Sequence, residues 1–146
     1  MIDELTKLRS EMAEKNIRQK VNEGSYVVSK HALDRMSERK IPEERVIECI
    51  IEGKNIEVQI GKEANDLKVL FQEANKEKPE IYTVVADGNK PVIVTVCRTK
   101  DEVWECVGNI LKRREMHKSW VWNVIFVITI WKKKSLQSIL DGVTIR

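Results

Sequence analysis

The sequence predicts an α+β domain in which N-terminal helices precede a four-strand antiparallel sheet and a C-terminal helix. Apolar residues recur at helical spacing up to about residue 52, whereas from residue 56 they alternate with polar residues as in a half-buried strand. Asp87-Gly88 lies between two apolar runs and is a strong signal for a tight reversal between antiparallel neighbours. Helices followed by consecutive strands are typical of the α+β class.

The first predicted helix covers residues 3–22. It carries a loose apolar stripe among charged residues, formed by Leu5, Leu8, Met12, Ile17 and Val21. Gly24 ends this pattern. Residues Ser25–Val28 are expected to form an extended lead-in to the next helix.

Two shorter helices are predicted next, over residues 29–40 and 42–52. Ser29 is the expected N-cap of the first, because its hydroxyl can accept a hydrogen bond from an amide of the first turn. Pro42 suits the first position of the second helix, and Gly53 ends it.

Four strands are predicted, over residues 56–60, 67–71, 81–86 and 92–97. Strict alternation in the last of these places Val94, Val96 and Arg98 on one face and Ile93 on the other. Thr99 and Glu102 have capping-box spacing, so a final helix is expected to run to the basic residues Lys112, Arg113 and Arg114.

Length and composition indicate one soluble globular domain. The chain has 146 residues, of which 34% are charged and 42% hydrophobic, so a long disordered tract is not expected. A net charge of +3 is compatible with a nucleic-acid partner without predicting one. Three cysteines without Cys-x-x-Cys spacing indicate a reducing cytoplasm, and a charged N-terminus argues against a signal peptide.

One edge of the 29–40 helix combines a histidine with two arginines. At about 100° per residue, His31, Arg35 and Arg39 fall close together around the helix. The helix N-terminus and Arg35 both disfavour a charged imidazole, which leaves His31 able to act as a base. Guanidinium groups bind phosphate oxygens in two-point contacts. The alternative is a solvated helix face with an ordinary surface histidine.

Residues 116–146 form a tail of different character. Trp120–Trp131 is an almost unbroken apolar run between Lys118 and three consecutive lysines. It is shorter than the roughly 20 residues that a membrane span needs. A buried strand and an interfacial membrane anchor are the two interpretations.

The stretch from Gly24 to Arg39, followed by Ile41-Pro42-Glu43-Glu44, resembles the opening motif of a bacterial family, the domain-of-unknown-function family numbered 4258. Its members open with a His-Ala-x-x-Arg-Met-x-x-Arg helix, continue with a short helix ending in glycine, and end in a curled antiparallel sheet. The resemblance covers roughly residues 17–115. The family resembles the RelE/barnase-like endoribonuclease toxins, and its genes often lie beside a zinc-finger antitoxin of the MqsA type.

This resemblance implies a toxin-like RNase domain over residues 25–115, after an N-terminal helix over residues 1–24. It places His31, Arg35 and Arg39 in the catalytic site and implies RNA and a cognate antitoxin as partners. The family's usual last-strand ending is replaced here by Cys97-Arg98-Thr99-Lys100-Asp101, so Arg98 has only its position and charge to support a role.

Three further residues are candidates for RNA binding beside this site: Arg98, Lys30 and Tyr26. An exposed cation at a strand end, without a role in binding, is an equally good interpretation of Arg98. Trp104, which the family pattern retains, is expected to pack in the core. The tail faintly resembles the start of the antitoxin, but Ser119 and Trp122 stand where its first zinc-binding cysteines belong, so zinc binding is not expected there.

Three functions follow as hypotheses. The first is a metal-independent endoribonuclease without a cofactor, in which the 2′-hydroxyl of RNA is the nucleophile, since the sequence shows no carboxylate or Cys/His cluster for a metal. The second is a catalytically inactive nucleic-acid or protein binding module of a toxin–antitoxin pair. The third is a plain interaction partner, held by its tail to an antitoxin or a membrane surface. The hypotheses differ in whether His31 is needed for turnover.

Overall fold

The computed structural model describes residues 4–61, 66–74 and 77–114. Within these ranges the chain forms an α+β structure, as predicted. Its helices are α1 (Glu4–Asn22), α2 (Lys30–Arg39) and α3 (Glu43–Glu52). Its strands are β1 (Val27–Val28), β2 (Lys54–Ile60), β3 (Leu67–Gln72), β4 (Ile81–Ala86), β5 (Val92–Arg98), β6 (Trp104–Val107) and β7 (Ile110–Arg113).

The main sheet has five strands in the order β1-β5-β4-β3-β2. Strands β2 to β5 pair antiparallel in sequence order, which confirms the predicted meander. The predicted count of four is wrong, because β1 adds a parallel edge strand with Val27 opposite Val92. The extended conformation of this segment was predicted. Its pairing as a strand was not, because two residues are too few to show apolar alternation.

The three helices cover one face of this sheet. Helix α2 lies against β5, and α3 contacts β3 and β4, as predicted for these two helices. Helix α1 packs against α3 and β3. The core between helices and sheet includes the fully buried side chains of Ile17, Val46, Ile50, Phe71, Ile81, Ile93 and Val96.

The opposite face of the sheet carries a second, smaller apolar cluster beneath the β6–β7 hairpin. The cluster contains Leu70, Tyr82, Val84, Trp104 and Leu111. The Trp104 and Tyr82 ring centroids are 5.1 Å apart, within the range of favourable aromatic pairs. Trp104 is therefore a packing residue, as expected.

The predicted final helix is wrong, because residues 104–113 form the β6–β7 hairpin. Gly108 and Asn109 both have positive φ, at 57° and 70°, which is the geometry of a two-residue hairpin turn. Thr99 does not cap a helix, since its hydroxyl donates to the Pro79 carbonyl at 2.7 Å. Val107 is 54% exposed rather than inward-facing.

The Gln72 side chain fastens this hairpin to the sheet. Its Nε2 donates to the Asn109 carbonyl at 2.8 Å, and its Oε1 accepts from the Leu111 amide at 2.7 Å. One buried amide thus pairs with hairpin backbone as a neighbouring strand would.

Arg18 and Arg45 join the helices to the sheet. Arg18 donates to the carbonyls of Ile51 and Gly53 at 2.8 and 2.7 Å and so satisfies oxygen atoms at the end of α3. Arg45 makes a two-point contact with the buried Glu73 carboxylate, at 2.8 and 3.0 Å. These guanidinium groups have structural partners and do not belong to the candidate site.

The predictions for the tail, residues 116–146, lie outside the described residues. In the part of the chain that is described, no helix has the length and apolar character needed to cross a membrane.

Candidate functional site

An irregularity in β5 determines where α2 begins, because it binds the residue that caps the helix. Val84 lies opposite Thr95 whereas Val85 lies opposite Ile93, so Val94 is an extra residue in a β-bulge. Ser29 binds this bulge, with its amide on the Ile93 carbonyl at 3.0 Å and its hydroxyl on the Val94 carbonyl at 2.8 Å.

The same hydroxyl caps α2, since it accepts from the Ala32 amide at 3.0 Å. This confirms Ser29 as N-cap. The bulge also overturns the predicted faces of β5, because the extra residue brings Ile93 and Val96 to the same helix-covered core. Ser29 therefore fixes the start of α2 to the bulge.

His31, Arg35 and Arg39 lie on one side of α2, spaced by four residues as predicted. All three side chains are half-buried, as expected for an edge of a helix that packs on β5. With Arg98 at the end of β5 they form what we call the basic edge. Lys30 is exposed in the first turn of the same helix.

Arg39 and Arg98 form a reciprocal contact between α2 and β5. Arg39 Nη1 donates to the Val96 carbonyl at 2.7 Å, and Arg98 Nη2 donates to the Arg39 carbonyl at 2.8 Å. The second bond places a cation at the C-terminal end of α2, where the helix dipole favours it. Both arginines thus hold the last turn of α2 on the sheet.

Arg35 is bound differently. Its Nη1 pairs with Glu38 Oε2 at 2.7 Å, and the two side chains are 38% and 58% exposed. Such surface pairs contribute about 0–1 kcal/mol, so an anionic ligand can displace Glu38 at little cost. Among the three arginines of the basic edge, Arg35 pairs with an exposed carboxylate, whereas Arg39 and Arg98 donate to backbone carbonyls.

Tyr26 lies in the segment before β1 and donates its hydroxyl to Glu43 Oε1 at 2.9 Å. Partial burial raises the pKa of this hydroxyl, and the hydrogen bond to Glu43 and the negative charge of Glu43 raise it further. Tyr26 therefore stays protonated near neutral pH and holds its proton on the side of α3.

The thiol of Cys49 is not poised to act as a nucleophile. Cys49 is buried and donates to the Phe71 carbonyl at 3.1 Å, and burial raises the pKa of its thiol to about 12. Within the described ranges, no group of three or more His, Cys, Asp or Glu side chains is arranged to hold a metal ion.

Several grooves lie elsewhere on the helical layer. One, of about 900 Å³, runs between α1 and β2 at the far edge of the sheet from α2. A second, of about 440 Å³, is lined by Tyr26 and by α3 residues that include Glu44 and Glu48. Neither groove was predicted from the sequence, because each is lined by separate elements that only the tertiary fold brings together.

Comparison with known proteins finds one family. Residues 28–98 match the model of the family described as "Domain of unknown function (DUF4258)". This range begins at β1 and ends at Arg98, so it contains the whole basic edge. No curated protein and no solved structure matches the chain. Residues 28–98 are therefore similar to this family of domains.

Proposed function

We propose that the chain is a toxin-like, metal-independent endoribonuclease that binds the RNA backbone at the basic edge. The observation that supports this is the placement of His31 one helical turn from Arg35, on the same half-buried side of α2. Side chains four residues apart on a helix have Cβ atoms about 6 Å apart, a spacing over which a proton acceptor and a guanidinium can address one phosphodiester.

In the proposed reaction, His31 takes the proton from the 2′-hydroxyl of RNA. The 2′-oxygen attacks the neighbouring phosphorus, and the bond from phosphorus to the 5′-oxygen of the next nucleotide breaks. The products are a 2′,3′-cyclic phosphate and a 5′-hydroxyl, which receives its proton from Tyr26 or a water. Arg35 stabilises the negative charge that grows on the phosphate oxygens, usually the dominant contribution in such sites.

The arginines of the basic edge have different tasks in this proposal. Arg39 and Arg98 keep α2 on β5 through their bonds to backbone carbonyls. Arg35 exchanges Glu38 for a phosphate, since both are anionic partners of the same guanidinium. Lys30 contributes an exposed positive charge beside the site.

A second candidate function is an RNA-binding or protein-binding module without turnover. The bonds of Arg39 and Arg98 to carbonyls favour it, because two of the three guanidinium groups of the basic edge already stabilise the fold. In this case the basic edge contacts phosphates and His31 transfers no proton.

The partners proposed beside RNA are a cognate antitoxin protein and no obligate membrane, with the cytoplasm as location. These proposals follow from the resemblance of the family to endoribonuclease toxins. The match over residues 28–98 supports similarity to the family alone.

The decisive experiment compares cleavage of a labelled RNA by the full chain and by His31→Ala, each with and without EDTA. His31→Ala is expected to lower the rate by about 10²–10⁴-fold, the usual contribution of a general base. EDTA is expected to have no effect, and the new 3′ ends should carry a cyclic phosphate. Lys20→Ala, on α1 away from the basic edge, is the control.

Two results would decide against this mechanism. Loss of activity in EDTA would indicate a metal-dependent reaction. If the unaltered chain and His31→Ala are equally inert while Arg35→Ala weakens RNA binding, the chain is a binding module.

A further inference from the structure

Helix α1 has an apolar stripe that is exposed to solvent. Its members are Leu5, Leu8 and Met12, which are 67%, 52% and 63% exposed. The side of α1 that packs on the domain is formed by Ala13, Ile17 and Val21, all nearly fully buried. At about 100° per residue, the exposed stripe points roughly opposite to the buried one. The helix therefore has two apolar sides, of which one packs against the rest of the domain and the other is exposed.

The spacing of the stripe is that of a short coiled-coil seam. Leu5, Leu8 and Met12 follow one another at intervals of three and four residues, which correspond to positions a, d and a of a heptad. Lys15 occupies the next d position and ends the apolar seam. The seam thus spans about two turns of α1.

The two borders of the stripe carry opposite charges. Glu4 and Glu11 occupy the g positions on one border, whereas Arg9 occupies an e position on the other. In a parallel pair of identical helices, the g residue of one faces the e residue five positions later on its partner, so Glu4 meets Arg9. In an antiparallel pair, g residues face g residues, and glutamate would meet glutamate.

We propose that the outward stripe of α1 is the contact surface for a second copy of this chain, with the two α1 helices parallel. The opposite charges of the two borders favour an identical parallel partner, because each copy supplies the complement of the other. An anionic membrane fits this surface less well, since Glu4 and Glu11 would face the lipid headgroups. The inference is independent of the proposed ribonuclease activity.

The pairing is expected to be weak. Three apolar side chains a copy bury less than the roughly 1,000 Å² that stable interfaces exceed. The dimer should therefore form in the upper micromolar range of protein concentration and dissociate on dilution.

Sedimentation equilibrium of the full chain over a range of concentrations tests the proposal. A monomer–dimer equilibrium is expected, and Leu8→Gln should shift it to monomer without loss of helical circular dichroism, because Leu8 is outside the core and Gln is a good helix former. Leu33→Gln on α2, where Leu33 is 51% exposed, is the matched control and should leave the equilibrium unchanged.

Charge exchange tests the parallel arrangement. Glu4→Lys alone and Arg9→Glu alone each place like charges across the seam, twice in the symmetric dimer, and should weaken self-association by roughly fivefold. A mixture of the two variants restores opposite charges at both contacts and should form a heterodimer. In an antiparallel pair, Glu4→Lys alone would instead face a glutamate and strengthen self-association, and that result would overturn the parallel arrangement.

A chain that stays monomeric at about 0.5 mM would overturn the dimer itself, since that concentration populates even weak pairs. So would a dimer that persists in Leu8→Gln. Binding of the monomer to vesicles of phosphatidylglycerol and phosphatidylcholine, lost in Leu8→Gln, would assign the stripe to a membrane surface instead.

Discussion

Arg35 and Arg39 lie on the same edge of α2 but differ in their partners: Arg35 pairs with an exposed glutamate, and Arg39 binds the backbone of β5. The helical period alone places both beside His31, so the sequence was sufficient to predict their alignment. It was not sufficient to predict that Arg39 binds the Val96 carbonyl, because that contact depends on how α2 lies on β5. The alignment of the side chains along α2 follows from local helix geometry, whereas their hydrogen-bond partners depend on the tertiary fold.

Substitution of these two arginines should therefore affect stability differently. Arg35→Ala loses only a surface ion pair and should change the free energy of unfolding by about 0.5 kcal/mol or less. Arg39→Ala leaves the Val96 carbonyl without its donor and should cost about 1–3 kcal/mol. Urea denaturation measures both, and an Arg35→Ala protein that unfolds would identify Arg35 as structural and the basic edge as misread.

The buried thiol of Cys49 predicts a loss of stability at high pH. Its pKa is about 12 in the folded chain and 9.0 ordinarily, so the unfolded chain loses the proton first. The stabilising contribution is complete below about pH 9 and is lost as the pH rises towards 12. Urea midpoints at several pH values should fall less steeply for Cys49→Ala than for the unaltered chain. Cys106→Ala, at an exposed thiol, is the control.

The turn that joins α3 to β2 depends on a close approach between backbone segments at Gly53. A Cβ at Gly53 would collide with the carbonyl oxygens of Gln72 and Cys49, neither of which is the end of a flexible side chain. Gly24, by contrast, has open space around it and a φ of +79°.

Substitution of each glycine by alanine should distinguish the steric collision at Gly53 from the backbone conformational preference at Gly24. Gly53→Ala requires the backbone to shift and should cost roughly 2–4 kcal/mol. Gly24→Ala only forces an L-residue into the left-handed region and should cost about 1–2 kcal/mol. Thermal unfolding of both variants tests this, and an equal effect would contradict the close approach at Gly53.

The β6–β7 hairpin is the element that sequence reasoning misread. Thr99 and Glu102 matched a capping box, and the apolar residues after them also fit a helical stripe. The better signal was Gly108-Asn109, a two-residue pair that favours positive φ. By contrast, β4 was predicted with its observed bounds, because its apolar run is flanked by clear turn residues.

Removal of the Gln72 amide should release this hairpin from the sheet. Gln72→Met keeps the side-chain volume but leaves the Leu111 amide and the Asn109 carbonyl without partners. Amide hydrogen exchange at Leu111 should become faster, while exchange in α2 and β5 stays unchanged. Protection of Leu111 at its original level would show that Gln72 is not the anchor.

For the molecule as a whole, the sheet separates two apolar clusters with different roles. The larger lies under the three helices and supports α2, and the smaller lies under the hairpin. Class and strand order within the meander were predictable because they depend on local periodicity and tight turns. The parallel β1 and the second cluster were not, because each depends on residues that are far apart in sequence. The bulge at Val94 was missed because it interrupts the strict alternation from which the faces of β5 were predicted.

The parallel pairing of β1 with β5 bears on the order in which the chain folds. Val27 and Val92 are separated by most of the domain, so their contact closes a long loop, whereas β3, β4 and β5 can form successively from near neighbours. During synthesis, the histidine-bearing helix leaves the ribosome well before its supporting strand exists. We expect Ser29→Ala to accelerate unfolding and leave the refolding rate nearly unchanged, because its bonds to β5 form after the rate-limiting step. A nascent chain would thus complete its basic edge only after β5 has been synthesised.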